Sequence, residues 1–96
     1  MILTLTSDKF TLDTGFYYSV PFKIESNDNF IAVEAELLSN GTVAMQHSID
    51  GVNWFDAANT SFNCATKGMQ GYADCIPQLN FRLKSANQVS YAKILL

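Results

Sequence analysis

Residues 31–49, IAVEAELLSNGTVAMQHSI, carry a clear alternation of apolar and polar side chains. Along two runs of this stretch, mainly apolar side chains alternate with charged, polar or alanine side chains. A period of two is typical of β-strands with one buried and one solvated face, because successive side chains of a strand point to opposite sides. The positions that we assign to the buried face are Ile31, Val33, Ala35, Leu37, Val43, Met45, His47 and Ile49.

The segment Ser39-Asn40-Gly41 between the two runs predicts a hairpin. A two-residue loop would place Met45 opposite Glu36, a core residue against a surface residue. A three-residue loop sets Met45 opposite Leu37 and brings the two apolar faces together, since a slip of one residue inverts every side chain. We therefore predict the three-residue loop, with Gly41 in the left-handed conformation of a bulged turn.

The rest of the chain has the same character. Aromatic and β-branched residues favour strands. Along 16–24, alternation predicts one buried face made of Phe16, Tyr18, Val20, Phe22 and Ile24. Pro21 within this run indicates an edge strand or a bulge. The pattern predicts one all-β domain over residues 1–96, an antiparallel β-sandwich or jelly-roll-like fold of about eight short strands. The predicted strand segments are 2–6, 9–13, 16–24, 30–38, 42–49, 53–58, 69–75, 78–85 and 89–95.

Composition excludes several function classes. The chain has 96 residues, six basic and nine acidic, with a net charge of −3, and its scattered lysines and arginine form no basic stripe for nucleic acid. It contains no apolar run of about 20 residues and no signal peptide, so we expect no membrane partner and synthesis in the cytoplasm. The apolar ends at residues 1–5 and 93–96 are expected to pair in a sheet, with each other or with a neighbouring subunit.

The segment Ser48–Trp54 contains the best-defined local motif. Asp50-Gly51 suits a tight turn, because the carboxylate caps the turn and glycine accepts a positive φ. With a loop at 50–53, Ile49 faces Trp54. Two interpretations stay open: Asp50 and Trp54 are structural, or Trp54 is a sugar-stacking platform with Asp50 as its polar anchor.

The same predicted hairpin places His47 opposite Asp56. A histidine–carboxylate pair is part of a nucleophilic triad, but no serine can be assigned to it. We therefore favour the structural interpretation, a partly buried histidine that is satisfied by a neighbouring carboxylate. The spacing of Asp50, Asn53 and Asp56 departs from a calcium-binding loop. We therefore predict no catalytic residue, no metal and no cofactor.

Residues 59–71 form the longest stretch without clear periodicity. Long loops on a rigid sheet often carry contacts, so this stretch is either an ordinary connection or a partner-contacting surface. The residues predicted to contact a partner are Phe62, Met69 and Tyr72. Cys64 and Cys75 flank much of this region, and whether they form a disulfide stays open.

Two segments resemble known proteins: QHSIDGVNWFDA at 46–57 and LNFRLKSANQVSYAKILL at 79–96. The first resembles the S-x-D-G-x-x-W hairpin of many β-sandwich modules, including discoidin-like carbohydrate-binding domains. Together with the second, it makes the chain resemble small virion proteins of tailed bacteriophages, the β-sandwich head-decoration and head-fibre subunits. The resemblance implies a structural protein without enzymatic activity, located in the virion, that forms homo-oligomers such as trimers and binds the major capsid protein.

The leading hypothesis is therefore a structural virion component, a capsid decoration or head-fibre subunit that self-associates. The alternative is a small carbohydrate-binding β-sandwich module that uses exposed aromatic side chains. Its candidate platforms are Trp54, Tyr17 and Tyr72.

Overall fold

A computed structural model describes residues 1–24, 29–73 and 75–96. These residues contain eleven strands and one three-residue 3-10 helix, Ser7–Lys9. In chain order, β1 to β11 are Ile2–Thr6, Phe10–Asp13, Phe16–Ser19, Phe22–Lys23, Ile31–Leu37, Gly41–Ser48, Phe55–Asp56, Phe62–Cys64, Lys67–Tyr72, Asn80–Ser85 and Val89–Leu95.

The strands form a β-sandwich, so the predicted fold class is confirmed. The smaller sheet has the order β1-β11-β5-β9, and the larger has β2-β3-β10-β6-β7, with β4 on β10 and β8 on β6. All pairings in the described ranges are antiparallel. The largest apolar side chains that are fully buried between the sheets are Ile24, Ile31, Val33, Val43, Met45, Leu83, Val89 and Ile94.

Pro21 lies at a bulge, as predicted. On β3, Tyr18 is opposite Lys84, whereas on β4, Phe22 is opposite Phe81. The segment between Tyr18 and Phe22 therefore contains one residue more than the facing segment of β10. The Ser19 hydroxyl fills the gap in the ladder by accepting a hydrogen bond of 2.8 Å from the Leu83 amide. Because a bulge shifts the alternation by one residue, the side chains before Pro21 that we expected to be buried point outward.

The hairpin predicted at 39–41 is wrong. Strand β5 pairs with β11 and β9, and β6 pairs with β10, β7 and β8, so the two strands lie in different sheets. Their odd-numbered residues face one another across the core, and this arrangement gives the same sequence pattern as a hairpin. Asn87 stabilises the connection between β5 and β6, where the chain passes from one sheet to the other. Its side-chain amide donates to the Ser39 hydroxyl at 2.8 Å and to the Asn40 carbonyl at 3.2 Å.

The loop predicted over residues 59–71 is also wrong, because this stretch contains β8 and most of β9. Its glycines allow close packing. A Cβ at Gly68 would lie 2.5 Å from the Asn63 carbonyl oxygen, and one at Gly71 would lie 3.0 Å from the Phe30 ring. Glycine has low strand propensity, yet it is the residue that permits such close approach within a sheet.

The chain termini pair with each other, as predicted. Strand β1 runs antiparallel to β11, with Ile2 opposite Leu95 and Thr6 opposite Tyr91. Beyond the strands, the Leu96 amide donates to the Met1 carbonyl at 2.9 Å. No helix in the described part of the chain is long and apolar enough to cross a membrane.

Candidate functional site

The turn between β6 and β7 is held by the carboxylate of Asp50. Oδ1 accepts hydrogen bonds from the Ser48 hydroxyl and from the amides of Val52 and Asn53, at 2.9–3.0 Å. Oδ2 accepts a bond of 2.8 Å from the Asn53 side chain. These bonds, with those of the Asn53 and Val52 amides first, hold the pKa of Asp50 well below its usual range.

A second set of bonds ties the turn to the sheet. The Ser48 hydroxyl accepts from the Gly51 amide at 2.8 Å. From the neighbouring strand, the Asn80 side chain donates to the carbonyls of Ser48 and Ile49 at 3.2 and 3.3 Å. Gly51 has φ +76°, which glycine adopts without strain. The turn is therefore anchored to the neighbouring strand at its β6 end.

This ordered turn holds apolar side chains out in solvent. Ile49 is 89% exposed, Val52 77%, Phe55 65%, and nearby Ile76 62%. We call these four residues the tip surface. Three of them line a groove of about 440 Å³ together with His47 and Leu79. Contiguous exposed apolar patches on small proteins often mark interaction sites.

The predicted register of this hairpin is wrong by one residue. Gln46 lies opposite Asp56, and His47 lies opposite Phe55, so the loop spans 49–53 rather than 50–53. His47 therefore does not pair with Asp56, and its ring lies 6.5 Å from that of Phe81. Ile49 likewise extends into solvent instead of facing Trp54. The longer loop results from the three bonds that Asp50 makes with Val52 and Asn53.

Trp54 lies on the outer face of the larger sheet, beside Arg82. The Arg82 guanidinium carbon is 4.4 Å from the centre of the Trp54 ring and 4.1 Å from that of Tyr18, so it contacts both aromatic rings. Its Nε donates to Gln46 Oε1 at 2.8 Å. Burial lowers the pKa of Arg82. Trp54 and Asp50 are thus both engaged in contacts within the protein.

A groove of about 650 Å³, lined by both polar and apolar side chains, lies on the same outer face. We call it the outer groove and define it by Phe16, Ala44, Asp56, Asn59 and Lys84. The Lys84 ammonium is 3.5 Å from Asp56 Oδ1 and 4.4 Å from the centre of the Phe16 ring. A hydrogen bond from Gln46 and the charge of Lys84 lower the pKa of Asp56.

Sequence reasoning missed the outer groove because of the bulge at Pro21. It assigned Phe16 and Tyr18 to the same face as Phe22 and Ile24. Counting one inserted residue at the proline would have turned both outward, beside Arg82 and Lys84 of β10.

The residues predicted to contact a partner lie in different environments. Phe62 and Tyr72 are each 8% exposed and belong to the core, whereas Met69 is 70% exposed. The Tyr72 hydroxyl donates to the Thr60 carbonyl, and burial raises the pKa of Tyr72. The expectation that Phe62 and Tyr72 are exposed is therefore wrong, and of the three only Met69 has a side chain at the surface.

No disulfide joins Cys64 and Cys75. Cys64 is buried, which raises the pKa of its thiol. Across residues 1–24, 29–73 and 75–96, no three histidine, cysteine or acidic side chains are grouped to hold a metal ion.

Comparisons with known proteins bear on the fold. No protein-family model and no curated protein sequence matches this chain. The C-terminal CBM6 domain of LamC, a marine laminarinase from Zobellia galactanivorans, matches with a TM-score of 0.60 and 9% identity over 100% of both chains. The PBSX exported protein XepA matches with a TM-score of 0.57 and 14% identity, over 98% of this chain and 35% of XepA. At these identities the similarity shows a shared β-sandwich fold.

Proposed function

We propose that this chain is a structural, non-enzymatic component of a tailed bacteriophage particle, a capsid decoration or head-fibre subunit. It is made in the host cytoplasm, self-associates, and binds the major capsid protein or a neighbouring virion protein through the tip surface. The observation that carries this proposal is the ordered display of Ile49, Val52, Phe55 and Ile76 in solvent. The fold similarity to the PBSX exported protein XepA is consistent with it.

The tip surface has the physical properties of a contact site. Full burial of an aliphatic or aromatic side chain lowers the free energy by about 1.5–3 kcal/mol. A partner that buries the four exposed side chains would therefore form a stabilised complex. The Asp50 bonds fix the backbone of the turn before any partner binds. A preordered surface loses little conformational entropy on association, which favours binding.

The proposal is tested on particles released by host lysis and banded in a density gradient. Quantitative mass spectrometry of the band should find this chain in a fixed ratio to the major capsid protein. Absence of the chain from a band that contains the capsid protein contradicts the proposal.

The tip surface is tested by rebinding purified chain to particles that have been stripped of it. The double variant Ile49→Ser/Val52→Ser should bind at least tenfold more weakly than wild type. Leu38→Ser is the matched control, because Leu38 is 65% exposed but lies before β6, at the other end of that strand from the tip. Equal binding by the tip variant and the control excludes the tip surface.

A second candidate function is carbohydrate binding in the outer groove. The observation that favours it is the combination of an aromatic ring, Phe16, with the polar groups of Asp56, Asn59 and Lys84 around one groove. Sugar sites commonly combine an apolar face with a few oriented polar groups. The fold similarity to the CBM6 domain of a laminarinase makes laminarin the first ligand to test.

Titration of the ¹⁵N-labelled protein with laminarin tests this candidate. Binding in the outer groove should shift the Ala44, Asn59 and Lys84 amides, and Phe16→Ala should remove the shifts. Phe30→Ala is the control, because Phe30 is exposed and packs against Gly71 of β9, away from the groove. The absence of shifts with millimolar laminarin and with a broader glycan panel rejects carbohydrate binding.

A further inference from the structure

Strand β1 is an unprotected edge of the smaller sheet. In the described structure it pairs only with β11, through all five residues and without a register shift. Its sequence, ILTLT, contains no charge, proline or glycine. Natural edge strands usually carry such residues, or are very short, and this prevents them from pairing with another chain.

The outermost strands elsewhere have such features. Strand β7 has only two residues, β9 contains Lys67 and two glycines, and β2 ends at the charged Asp13. Strand β1 is therefore the edge best suited to accept another strand.

The hydrogen-bonding direction of β1 follows from its first residue. Met1 exchanges two hydrogen bonds with Leu96: the Leu96 amide donates to the Met1 carbonyl at 2.9 Å, and the Met1 ammonium donates to the Leu96 carbonyl at 3.2 Å. Bonded and non-bonded pairs alternate along an antiparallel ladder, so Leu3 and Leu5 bond to β11. The amide and carbonyl groups of Ile2, Thr4 and Thr6 consequently point to the open edge.

We propose that β1 pairs with β1 of a second copy of this chain, antiparallel, across a two-fold axis at Thr4. In this register Thr4 lies opposite Thr4 of the second copy, and Ile2 lies opposite its Thr6. Every outward amide of Ile2, Thr4 and Thr6 then finds a carbonyl, which a shift of two residues in either direction would not achieve. This inference rests on one part of the proposed function, self-association, and it identifies β1 as the edge through which two copies associate.

The side chains of β1 are compatible with this register. Leu3 and Leu5 point toward the core, and Leu3 is only partly buried. Pairing sets each Leu3 opposite Leu5 of the other copy, which covers more of its surface. On the outer face two threonines meet at the axis, a favourable cross-strand pair, and no like charges oppose each other.

The contact is small. Stable interfaces bury about 1,200–2,000 Å² in total, and a pair of five-residue strands buries less than this. Leu12 of β2, the exposed edge strand of the larger sheet, lies on the same side of the sandwich because only the short helix Ser7–Lys9 separates β1 from β2. We therefore expect a dimer that forms in a concentration-dependent manner.

Sedimentation equilibrium from about 10 µM to about 1 mM tests the pairing. The wild type should show a monomer–dimer equilibrium. Thr4→Lys, which places a charge at the axis, and Thr4→Pro, which removes an outward amide that β11 does not use, should raise the dissociation constant at least tenfold. Thr66→Lys is the matched control, an exposed threonine between β8 and β9, and should behave like wild type.

A wild type that stays monomeric to 1 mM, forms a trimer, or dimerises as strongly with Thr4→Lys overturns the proposal. Circular dichroism verifies that each variant is folded. The tip variant Ile49→Ser/Val52→Ser should dimerise like wild type, because it does not alter β1. Failure of edge pairing and failure of particle attachment are thereby measured separately.

Cysteine cross-linking tests the register. In a Cys75→Ser background, Thr4→Cys should form a disulfide-linked dimer on mild oxidation, because facing Cα atoms are about 5.5 Å apart. Ile2→Cys should not cross-link, because the two copies of residue 2 would be about 13 Å apart, four residues along the strands. Efficient cross-linking through residue 2 but not residue 4 contradicts this register.

Discussion

The carboxylate of Asp50 is exposed to solvent, yet it organises the whole turn after β6 by accepting four hydrogen bonds. Replacement of Asp50 by Asn removes the charge and one acceptor oxygen. We expect the Val52 and Asn53 amides to exchange with solvent about 5- to 10-fold faster, because local opening becomes easier. Hydrogen exchange followed by NMR measures this, and the Ala92 amide of the core serves as the internal control.

The same carboxylate predicts a pH dependence. The folded protein lowers the pKa of Asp50 below its ordinary value of 3.8. The stabilisation from Asp50 is therefore complete at neutral pH and is lost as pH falls below about 4 toward the folded pKa. The difference in melting temperature between wild type and Asp50→Asn should be constant above pH 5 and should narrow toward pH 2. A constant difference over the whole range would show that the charge is not responsible.

Arg82 links two aromatic rings on the outer face of the larger sheet. Arg82→Ala removes both cation–π contacts and the bond to Gln46, so we expect a loss of about 1–2 kcal/mol in the free energy of unfolding. The emission of Trp54 should shift to longer wavelength and become easier to quench with acrylamide. Lys93→Ala, which removes a longer contact to Tyr91, should leave the emission unchanged. An unchanged spectrum in Arg82→Ala would exclude the stacking.

At the scale of the strands, Phe62 and Met69 differ although both lie in the stretch predicted as a loop. Phe62 belongs to β8 and is buried, whereas Met69 belongs to β9 and is exposed. Phe62→Ala should lower the free energy of unfolding by about 3–4 kcal/mol because it creates a core cavity, and Met69→Ala should change it by less than about 0.5 kcal/mol. Urea unfolding measures both, and equal effects would contradict the assignment of β8 to the core.

The sequence predicts the strand segments better than it predicts which strands pair with one another. Alternation along 31–49 identified the buried face of β5, and that of β6 as far as Met45, because burial imposes the same period in any sandwich. Beyond Met45 the prediction is wrong, because Gln46 and Ser48 are buried, whereas Ile49 is exposed. Alternation did not distinguish a hairpin within one sheet from a connection that crosses between the two sheets, because the same residues point into the core in both arrangements. The decisive contact, from the Asn87 side chain to Ser39 and Asn40, comes from a residue distant in sequence.

For the candidate sites, too, the sequence predicts local features but not those that depend on strand pairing. The Asp50-Gly51 turn was predictable from local turn chemistry, but the exposure of Ile49 depended on a loop length that the side-chain bonds of Asp50 set. The outer groove depended on the phase shift at Pro21 and on the pairing of β3 with β10. Strand β8 is too short, at three residues, for alternation to be recognised against its surroundings.

At the scale of the whole molecule, the two proposed surfaces lie on opposite sides. Strand β1 and the adjacent β2 form one edge of the sandwich, whereas β7 and the tip surface lie at the far end of the larger sheet. The molecule measures 34 × 25 × 23 Å. A two-fold axis at Thr4 therefore places the two tip surfaces at the outer ends of the dimer, and it reverses the direction in which each points along the strands.

This geometry predicts a long distance between spin labels on the tips. A nitroxide on Val52→Cys, in a Cys75→Ser background, should give a distance above about 40 Å in the dimer, since each tip is separated from the axis by about the width of one sandwich. Pulsed electron–electron double resonance measures this distance, and a label on Thr11→Cys of β2 should give a clearly shorter distance. A tip distance below about 20 Å would mean that the tip surfaces, rather than β1, join the copies. With the long distance, both tips remain accessible, so one dimer can contact two positions on a larger assembly through the same four apolar side chains.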